Sequence, residues 1–458
     1  MLECFSEDTS LRCTPLIPVR QKELEAWLAG QTETRQNWIQ ATEFEARTCT
    51  HRMLPTADGR LDAVVLGVES ARDLWAFGHL PPRLPPGDYR IEAHWAAQDL
   101  AHAALGWALG AYRFTRYKSP KGEMPRLALN ATGDLAAVQN HAEAIYRVRD
   151  LINTPPEDMM PQDIAAAVEE LGAVFGASVS QLVGQELLEQ NYPTIHAVGR
   201  ASLHPPRLLD LRWGDAAHPK VTLVGKGVCF DSGGLDLKSA AGMRLMKKDM
   251  GGAAHVIGLA QMIMHRRLPV RLRVLIPAVE NAVAGNAFHP GDIIRSRAGI
   301  SVEIENTDAE GRLILCDALS EAGTEDPTLT IDFATLTGAA RVALGTELPA
   351  FFTNDDKVAA GLVESANAVQ DPMWRLPLHK PYREQLSTKV ADILNSSTGS
   401  FGGAITAALF LQEFVKNTSG WVHLDLMAWN TRAQAGRPKG GEAMGLRAVF
   451  DYLDKRFG

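Results

Sequence analysis

The feature that most constrains this fold is an alternation of nearly uncharged strand-like runs with helical runs in the second half of the chain. The run Leu272–Val279 carries a single charged residue, as expected of a strand covered by helices on both faces. The preceding run, Gly252–His265, has its apolar residues at helical spacing. Such alternation predicts an α/β fold with a mainly parallel sheet, whose functional groups gather at the carboxyl ends of the strands.

The same patterns predict elements along the rest of the chain. Helices are expected at Gln21–Ala29, Ala96–Arg113, Leu135–Ile152, Leu313–Ala322 and Ala404–Val415, and strands at Asp62–Gly67, Tyr89–His94, Thr328–Thr335 and Trp421–Met427, with another strand beginning at Val221–Leu223. Prolines in Asn153–Pro156 end the helix before them. We therefore expect a smaller N-terminal α/β domain, residues 1–150, followed by a larger catalytic domain, residues 151–458, with a mainly parallel central sheet flanked by helices.

Charge and cysteine content exclude several classes of protein. The 458 residues include 46 Lys and Arg against 54 Asp and Glu, a formal charge of −8, which argues against whole-chain attraction to nucleic acid or to an anionic membrane. The five cysteines are widely spaced, so they indicate neither a disulfide framework nor a cysteine-based zinc site. No signal peptide and no membrane-spanning apolar run are evident. We therefore predict a cytoplasmic protein with no membrane partner.

Glycine-rich segments at predicted strand-to-helix junctions hold most of the residues suited to chemistry. They contribute four acids and three bases: Asp231, Asp249, Asp308, Glu310, Lys226, Lys238 and Arg312. Four carboxylates in one cleft would repel one another, and two divalent cations would balance their charge. A water between two such ions loses a proton near neutral pH and becomes a nucleophile. One lysine could then bind metal as a neutral amine, while the remaining bases would stabilise an oxyanion.

Each of these residues also has an ordinary structural explanation. Asp231 fits a turn, and Asp249 fits a helix N-cap. Lys238 is of a type usually solvated at the surface, and Arg312 could pair locally with Glu310.

Other features of the sequence bear on whether these residues form a metal site or have ordinary structural roles. The carboxylates alone would equally suit a two-metal phosphoesterase, although no phosphate-binding loop is evident. His255 and His423 share no ligand spacing and are expected to be structural. From the residues alone, the metal site and the structural explanations both remain open.

Three segments resemble the signatures of a known family. VGKGVCFDSGGLDLK, KKDMGGAA and NTDAEGRL are similar to segments of the leucine aminopeptidase (cytosol aminopeptidase) family of dinuclear metallopeptidases. Weaker likeness occurs at Leu151–Pro156, Phe333–Ala339 and Gly402–Ala408, so the similarity runs from about Leu151 to near the C-terminus. The resemblance implies a metal-dependent aminopeptidase that removes the N-terminal residue of peptides by a two-metal-activated water.

The resemblance also implies roles for individual residues. The metal ligands would be Lys226, Asp231, Asp249, Asp308 and Glu310. Asp231 and Glu310 would touch both ions, which are Mn²⁺ or Zn²⁺, with Mg²⁺ as a further option. Lys238 would be the catalytic lysine that polarises the scissile carbonyl, and Arg312 would hold a bicarbonate ion that serves as general base. The first side-chain pocket would comprise Met246, Thr335, Leu336 and Gly338, favouring Leu-like N-termini. The family's usual assembly implies a homohexamer.

Three departures from the family pattern affect substrate and metal preference. Lys248 stands where glycine is common, and could change metal affinity or simply face solvent. Leu235–Leu237 is more acidic than usual, and His423–Trp429 lacks a usual glycine. Some relatives also bind DNA, so a mainly DNA-binding or regulatory protein is an alternative function, although the acidic composition does not support it.

Overall fold

The computed structural model describes residues 2–6, 13–120, 122–129 and 135–458, which divide into two compact units. The first unit holds the described residues up to Tyr146 together with Thr431–Lys439, and the second holds Arg147–Asn430 and Gly440–Gly458. This division falls inside a helix, Leu135–Asn153. A functional boundary near residue 150 stays a prediction. Within the described residues, no helix is long and apolar enough to cross a membrane.

The first unit is built on one sheet with five helices along its sequence. The strands are β1 (Phe5–Ser6), β2 (Thr14–Arg20), β3 (His51–Pro55), β4 (Leu61–Val68), β5 (Gly87–Ile91) and β6 (Pro125–Ala128). The helices are α1 (Leu24–Ala29), α2 (Glu33–Ala41), α3 (Leu74–Gly78), α4 (Ala97–Ala111) and α5 (Leu135–Asn153), the last of which continues into the second unit. The strand order is β1-β6-β5-β2-β4-β3, and only the β3–β4 pair is antiparallel.

The second unit contains the remaining elements. Its helices are α6 (Pro161–Phe175), α7 (Glu186–Glu189), α8 (Pro193–Gly199), α9 (Ala240–Met243), α10 (Gly251–Arg266), α11 (Glu310–Ala322), α12 (Gly338–Leu344), α13 (Asp356–Ala368), α14 (Gly403–Gln412) and α15 (Leu446–Phe457). Its strands are β7 (Ser178–Val183), β8 (Arg207–Trp213), β9 (Lys220–Gly225), β10 (Gly227–Asp231), β11 (Arg271–Asn281), β12 (Ile293–Arg295), β13 (Ser301–Glu303), β14 (Leu329–Ala334), β15 (Ala350–Thr353), β16 (Trp374–Arg375), β17 (Ile393–Leu394), β18 (Trp421–Asp425), β19 (Trp429–Asn430) and β20 (Gly440–Gly441).

The main sheet of this unit has a parallel centre and antiparallel flanks. Its order is β16-β15-β18-β14-β9-β11-β8-β7, and β10 also pairs with β11. The neighbours from β18 through β14 and β9 to β11 are all parallel. The pairs β11–β8, β8–β7 and β15–β18 are antiparallel. The predicted mainly parallel sheet flanked by helices is therefore confirmed.

The centre of the sheet is buried on both faces, as its composition predicted. In β11 all residues from Leu272 to Val279 are buried. Helix α10 is buried along almost its whole length, from Gly251 to Met264, which is typical of an internal helix. The strands β7, β8, β15 and β16 and the helices α6, α13 and α15 were not predicted.

Candidate metal centre and substrate pocket

The candidate site lies where parallel strands of the second unit end. Lys226 directly follows β9, and Asp231 is the last residue of β10. Asn281 ends β11, Thr335 directly follows β14, and Asp425 ends β18. Because these strands are parallel, their carboxyl ends lie at one edge of the sheet, where polar groups can converge over a buried apolar layer.

Lys226 joins two of the predicted ligands. Its Nζ lies 2.7 Å from Oδ2 of Asp249 and 2.9 Å from Oε1 of Glu310, and all three side chains are almost completely buried. Gly311, next to Glu310, leaves the room for this lysine, since a Cβ there would lie 2.4 Å from Cε of Lys226. Asp249 also accepts a hydrogen bond at Oδ1 from the Thr335 hydroxyl, at 2.6 Å.

Lys238 joins the other two carboxylates. Its Nζ lies 2.8 Å from Oδ2 of Asp231 and also forms an ion pair with Asp308. The Asp231 Oδ1 atom accepts hydrogen bonds from the Gly233 N–H and from Nδ2 of Asn281, each at 2.9 Å. This side of the cluster is the more open one, because 34% of the Asp308 side chain is exposed.

The donor set fits divalent metal. Carboxylate oxygens of Asp231, Asp308 and Glu310 lie within 4.8 Å of one another, close enough to share an ion. Oε2 of Glu310 is buried and has no hydrogen-bond partner among the described residues. A buried carboxylate oxygen without a partner is costly, and a hard divalent cation would satisfy it. We call Asp231, Asp249, Asp308 and Glu310 the acidic cluster.

The pKa values of the acidic cluster reflect its excess of negative charge. Burial and the neighbouring Asp231 carboxylate raise the pKa of Asp308 to about 6, although Lys238 acts against this. Burial and Asp231 also raise the pKa of Glu310 well above its ordinary value. Burial has the same tendency at Asp249, but Lys226 and Lys248 outweigh it and lower the pKa to about 2. The neighbouring lysines thus do not outweigh the effect of burial and of nearby carboxylates on the pKa values of Asp308 and Glu310.

Arg312 lies in the first turn of α11 and is buried. Its Nη1 donates to the backbone carbonyl of Asn395 at 2.6 Å, and its buried Nε has no hydrogen-bond partner among the described residues. Burial lowers the pKa of Arg312 to about 10, which leaves the guanidinium charged at neutral pH. The predicted local ion pair with Glu310 is wrong, since the described contacts of Arg312 include none.

The predicted pocket residues lie in two segments. Met246 begins the 3₁₀ segment before α10, and the other three follow β14. Met246 and Leu336 are half-buried, and Gly338 is exposed at the start of α12. The Leu336 N–H donates to Asp425 Oδ1 at 3.1 Å, which fixes the backbone of this loop. Thr335 is buried and directed to Asp249, so its hydroxyl supports a predicted ligand.

Lys248 does not face solvent, so that one of the two alternatives for this residue is wrong. Its side chain is 1% exposed within the 3₁₀ segment Met246–Met250. Burial lowers the pKa of its amine to about 8, with Arg341 and Lys226 acting in the same direction. A long side chain on a short buried turn has little access to the surface, which the sequence pattern did not reveal.

The structure also decides the ordinary structural explanations offered for Asp249, Lys238 and Asp231. Asp249 is not a helix N-cap, because Met250 occupies that position before α10 and no side chain caps the helix there. Lys238 is not a solvated surface charge, because two carboxylates hold it. Asp231 forms a turn hydrogen bond to Gly233 and takes part in the cluster as well.

Three supporting residues were not singled out by the sequence. Asn281 donates to Asp231 and, at 3.1 Å, to the Thr307 carbonyl. Asn395 accepts from the backbone N–H groups of residues 305 and 306 and so holds the loop before Asp308. Asp236, noted only as a departure, accepts from the Thr307 N–H at 2.7 Å. Only the tertiary contacts identify these residues, since isolated Asn and Asp residues in loops carry no pattern.

The two histidines make structural contacts. His255 bonds to the backbone at both ring nitrogens, to Gly251 O at 2.6 Å and to Met444 N at 2.9 Å. His423 places Nδ1 2.5 Å from Oδ1 of Asp332 in a fully buried pair. Among the described residues, neither histidine is one of the side chains that lie close enough together to share an ion.

An α/β unit with carboxylates and lysines at the ends of its parallel strands defines a class of metal-dependent hydrolases. Comparison with known proteins places the chain within that class. Residues 146–450 match the catalytic domain of the cytosol aminopeptidase family, and residues 14–130 match the N-terminal domain of M17 aminopeptidases. The chain belongs to the cytosol aminopeptidase family.

Individual relatives agree with this assignment. A probable cytosol aminopeptidase of Roseiflexus castenholzii is 41% identical over 76% of this chain and 75% of its own length. Peptidase B of Cronobacter sakazakii is 44% identical over 74% of this chain and 81% of its own length. The crystal structure of cytosol aminopeptidase from Coxiella burnetii, 48% identical, covers all of both chains with a TM-score of 0.96. The structure of bottromycin maturation enzyme BotP in complex with Mn is 34% identical and covers 97% of this chain and 99% of its own, with a TM-score of 0.87.

These findings settle the broad activity. The protein is a metal-dependent aminopeptidase, an exopeptidase that acts on peptide substrates. The recognised family and the two-part α/β organisation are confirmed. The comparisons favour neither the DNA-binding or regulatory alternative nor the phosphoesterase.

Proposed function

We propose that this aminopeptidase works with two divalent ions held by Lys226, Asp231, Asp249, Asp308 and Glu310. The observation that carries the proposal is the acidic cluster, whose four carboxylates have only two lysines to balance them. Two bound ions would supply the missing charge and would polarise both a water molecule and the scissile carbonyl. Mn²⁺ is the first metal to test, because BotP is described in complex with Mn. Zn²⁺ and Mg²⁺ are the alternatives.

Lys226 has to change protonation state in this proposal. In the metal-free chain it is an ammonium, because Asp249 and Glu310 outweigh the effect of burial and raise its pKa. A metal ligand must offer a lone pair, so this amine would lose its proton on loading. Cations beside it favour that loss by disfavouring the ammonium form.

Lys238 is proposed as the catalytic lysine. It stays protonated because Asp231 and Asp308 outweigh burial and raise its pKa. A side chain that is 16% exposed can meet the substrate while remaining anchored to the acidic cluster. Its ammonium group would then hold the carbonyl oxygen as negative charge develops on it.

Arg312 is proposed to hold bicarbonate as the general base. Its buried Nε–H has no partner among the described residues, so an anion can accept from it. The Nη1 bond to the Asn395 carbonyl fixes the guanidinium plane. Held there by Arg312, bicarbonate would supply a general base for the attacking water.

The pocket formed by Met246, Thr335, Leu336 and Gly338 supports cleavage after Leu-like residues. Met246 and Leu336 offer half-buried apolar surface beside the acidic cluster. Each methylene placed on such surface contributes about 0.8 kcal/mol. The free α-amino group of the substrate would sit at the cluster, which restricts cleavage to the first residue. A homohexameric assembly and a cytoplasmic location, both implied by the family resemblance, are part of the same proposal.

An assay with blocked and unblocked substrates tests the proposal. Leucine p-nitroanilide and N-acetyl-leucine p-nitroanilide are compared with protein loaded with Mn²⁺, loaded with Zn²⁺, or treated with chelator. We expect cleavage of the unblocked substrate alone, two ions per chain by elemental analysis, and loss of activity on chelation. Equal cleavage of the acetylated substrate would contradict the role of the free amino group, and one ion per chain would contradict the two-metal centre.

A further inference from the structure

The loop that carries Lys238 is short and is closed across its base. It begins at Ser232, directly after β10, and the Lys238 N–H donates to the Ser232 carbonyl at 2.9 Å. The Ser232 hydroxyl donates to the carbonyl of Asn281 at 2.7 Å, which fixes the base of the loop on β11. Gly233 has a φ of 91°, a backbone conformation that favours glycine, and it turns the chain sharply. We call residues 232–238 the lysine loop.

The lysine loop is fastened to Thr307 through Asp236. The Thr307 N–H donates to Oδ2 of Asp236 at 2.7 Å, and the Thr307 hydroxyl lies 3.1 Å from the same oxygen. The Asp236 N–H donates to that hydroxyl at 2.9 Å, and the hydroxyl donates to the Gly233 carbonyl at 2.7 Å. Because Thr307 is buried, its N–H and hydroxyl depend on these partners. Asp236 therefore joins the loop of the proposed catalytic lysine to the segment that carries Asp308.

The segment that carries Asp308 does not depend on Asp236. Asn281 donates to the Thr307 carbonyl at 3.1 Å. Oδ1 of Asn395 accepts from the two backbone N–H groups that precede Thr307, at 2.8 and 3.2 Å. These hydrogen bonds would keep Asp308 in place if the Asp236 side chain were absent.

The tip of the lysine loop, residues 235–237, has less support among the residues that the structure describes. Its hydrogen bonds to other segments are those with Thr307. Leu235 and Leu237 flank Asp236 but are 38% and 61% exposed, so they anchor the tip only weakly by packing. Removal of the Asp236 side chain would therefore loosen this loop and leave the opposite segment fixed.

We propose that Asp236 is a positioning residue for Lys238, which it holds beside the acidic cluster by fastening the lysine loop to Thr307. The inference rests on the proposed catalytic role of Lys238 and names the contact that holds this lysine. Displacement of a catalytic arrangement by about 1 Å can cost about 10²-fold in rate. The side-chain contacts with Thr307 converge on one oxygen, so the arrangement requires an acceptor atom at position 236 and does not require a negative charge.

Three substitutions separate position from charge in the Mn²⁺-loaded enzyme. Asp236→Ala removes the acceptor and should lower kcat for leucine p-nitroanilide at least about tenfold with little change in KM, because the lysine acts on the transition state. Asp236→Asn keeps an accepting oxygen and should restore kcat to within about threefold of the wild type. Asp215→Ala is the matched control and should leave kcat unchanged. Asp215 is an exposed loop acid that also accepts a backbone N–H, at 2.8 Å, but it lies before β9 at the opposite edge of the sheet.

Inhibitor binding provides a readout that a purely structural role would not change. A phosphonic analogue of leucine presents tetrahedral oxygens where Lys238 is proposed to act, whereas isoamylamine has the same side chain and amino group and no oxygen. Asp236→Ala should weaken binding of the phosphonic analogue by the same factor as kcat/KM. Binding of isoamylamine should stay the same in the wild type and the variant.

The outcomes distinguish this inference from the proposed function. Unchanged kcat in folded, metal-loaded Asp236→Ala protein would overturn the inference and leave the proposed function intact. An Asp236→Asn protein as impaired as Asp236→Ala would also overturn it, because charge rather than position would then matter. Loss of metal from Asp236→Ala would likewise overturn it, and assign Asp236 to the support of the metal centre. Lys238→Met is measured in parallel, and unchanged kcat in that variant would overturn the proposed catalytic lysine itself.

Discussion

Two groups of charged side chains in the larger unit differ in their balance. The acidic cluster has four carboxylates and two lysines. A second group, which we call the arginine network, joins four bases, Arg212, Arg271, Arg273 and Arg297, to three acids, Asp210, Glu321 and Glu325. Each acid of the network has a guanidinium within ion-pair distance. In the acidic cluster each lysine is shared by two acids, and Oε2 of Glu310 has no hydrogen-bond partner among the described residues. A group with at least one base for each acid is complete in itself and stabilises the fold, while a group with an excess of buried acids requires an ion or a ligand from outside.

The largest expected effect is the loss of activity on removing one charge from the acidic cluster. Glu310→Gln should lower kcat/KM of the Mn²⁺-loaded enzyme at least about 10³-fold, because a metal ligand matters more than the supporting residues whose loss costs 10–100-fold. The unfolding midpoint of the metal-free protein should stay equal or rise, since the substitution relieves repulsion. Glu305→Gln, at an exposed acid, is the control. A destabilised metal-free Glu310→Gln protein would contradict the distinction between the two groups.

The arginine network should show the opposite pattern. Nη2 of Arg273 lies 2.7 Å from both Asp210 and Glu321, and its side chain is 6% exposed. Arg273→Met should lower the free energy of unfolding by about 3 kcal/mol, because Asp210 and Glu321 each lose their most buried arginine partner. Arg271→Met removes a longer, more exposed pair at 3.5 Å and should cost less than about 1 kcal/mol.

Denaturant titration of both arginine variants, with kcat measured per folded molecule, checks this prediction. Activity should be retained in each of them. A loss of activity in folded Arg273→Met protein would show that the network also serves the site.

A smaller effect is expected from crowding Lys226 without changing any charge. Gly311→Ala would place a Cβ 2.4 Å from Cε of Lys226, so the lysine has to move. We expect kcat/KM to fall about 10²-fold, as for misplacement of a supporting group by about 1 Å. Gly285→Ala is the control, because a Cβ there meets no atom within 4 Å. Equal activity of the two variants would mean that the position of Lys226 is not critical.

The smallest effect concerns a buried base that is neutral. The Met444 N–H donates to Nε2 of His255, so Nδ1 carries the proton and donates to Gly251. Burial lowers the pKa of His255 from 6.5 to about 4. Since the unfolded chain binds this proton more readily, the contribution to stability is present above pH 6.5 and is lost as the pH falls towards 4.

The His255 prediction is measured as a difference in pH dependence. Between pH 7 and pH 5 the wild type should lose about 2 kcal/mol more of its unfolding free energy than His255→Gln. Parallel stability curves for the two proteins would disprove a neutral histidine. The result would show how a buried base behaves when hydrogen bonds to the backbone, rather than an ion pair, satisfy it.

The sequence predicted the elements that carry strong periodicity. The nearly uncharged run in β11 and the helical spacing in α10 gave the right element type and nearly the right limits. Strand β7, at one end of the main sheet, was not predicted, because its partly exposed residues resemble those of a loop. Patterns report burial, and elements at the edge of a sheet are only partly buried.

The charged residues of the site could also be predicted from the sequence, but the residues that support them could not. Spacing and resemblance identified the acidic cluster, Lys226 and Lys238, and the structure brings these residues together. Asn281 and Asn395 support the site through hydrogen bonds to groups that lie at least 26 residues away in the sequence. Such contacts depend on how strands and loops are arranged in space.

The sequence by itself determined the α/β class, the family and the residues of the acidic cluster, because these depend on periodicity and on contiguous motifs. The tertiary structure decided which charges are balanced. Lys248 and Lys238 are the same residue type in neighbouring segments, yet one is buried without a partner and the other joins two carboxylates. The energy of a charge depends on its burial and on the charges around it in space, and no local pattern encodes either.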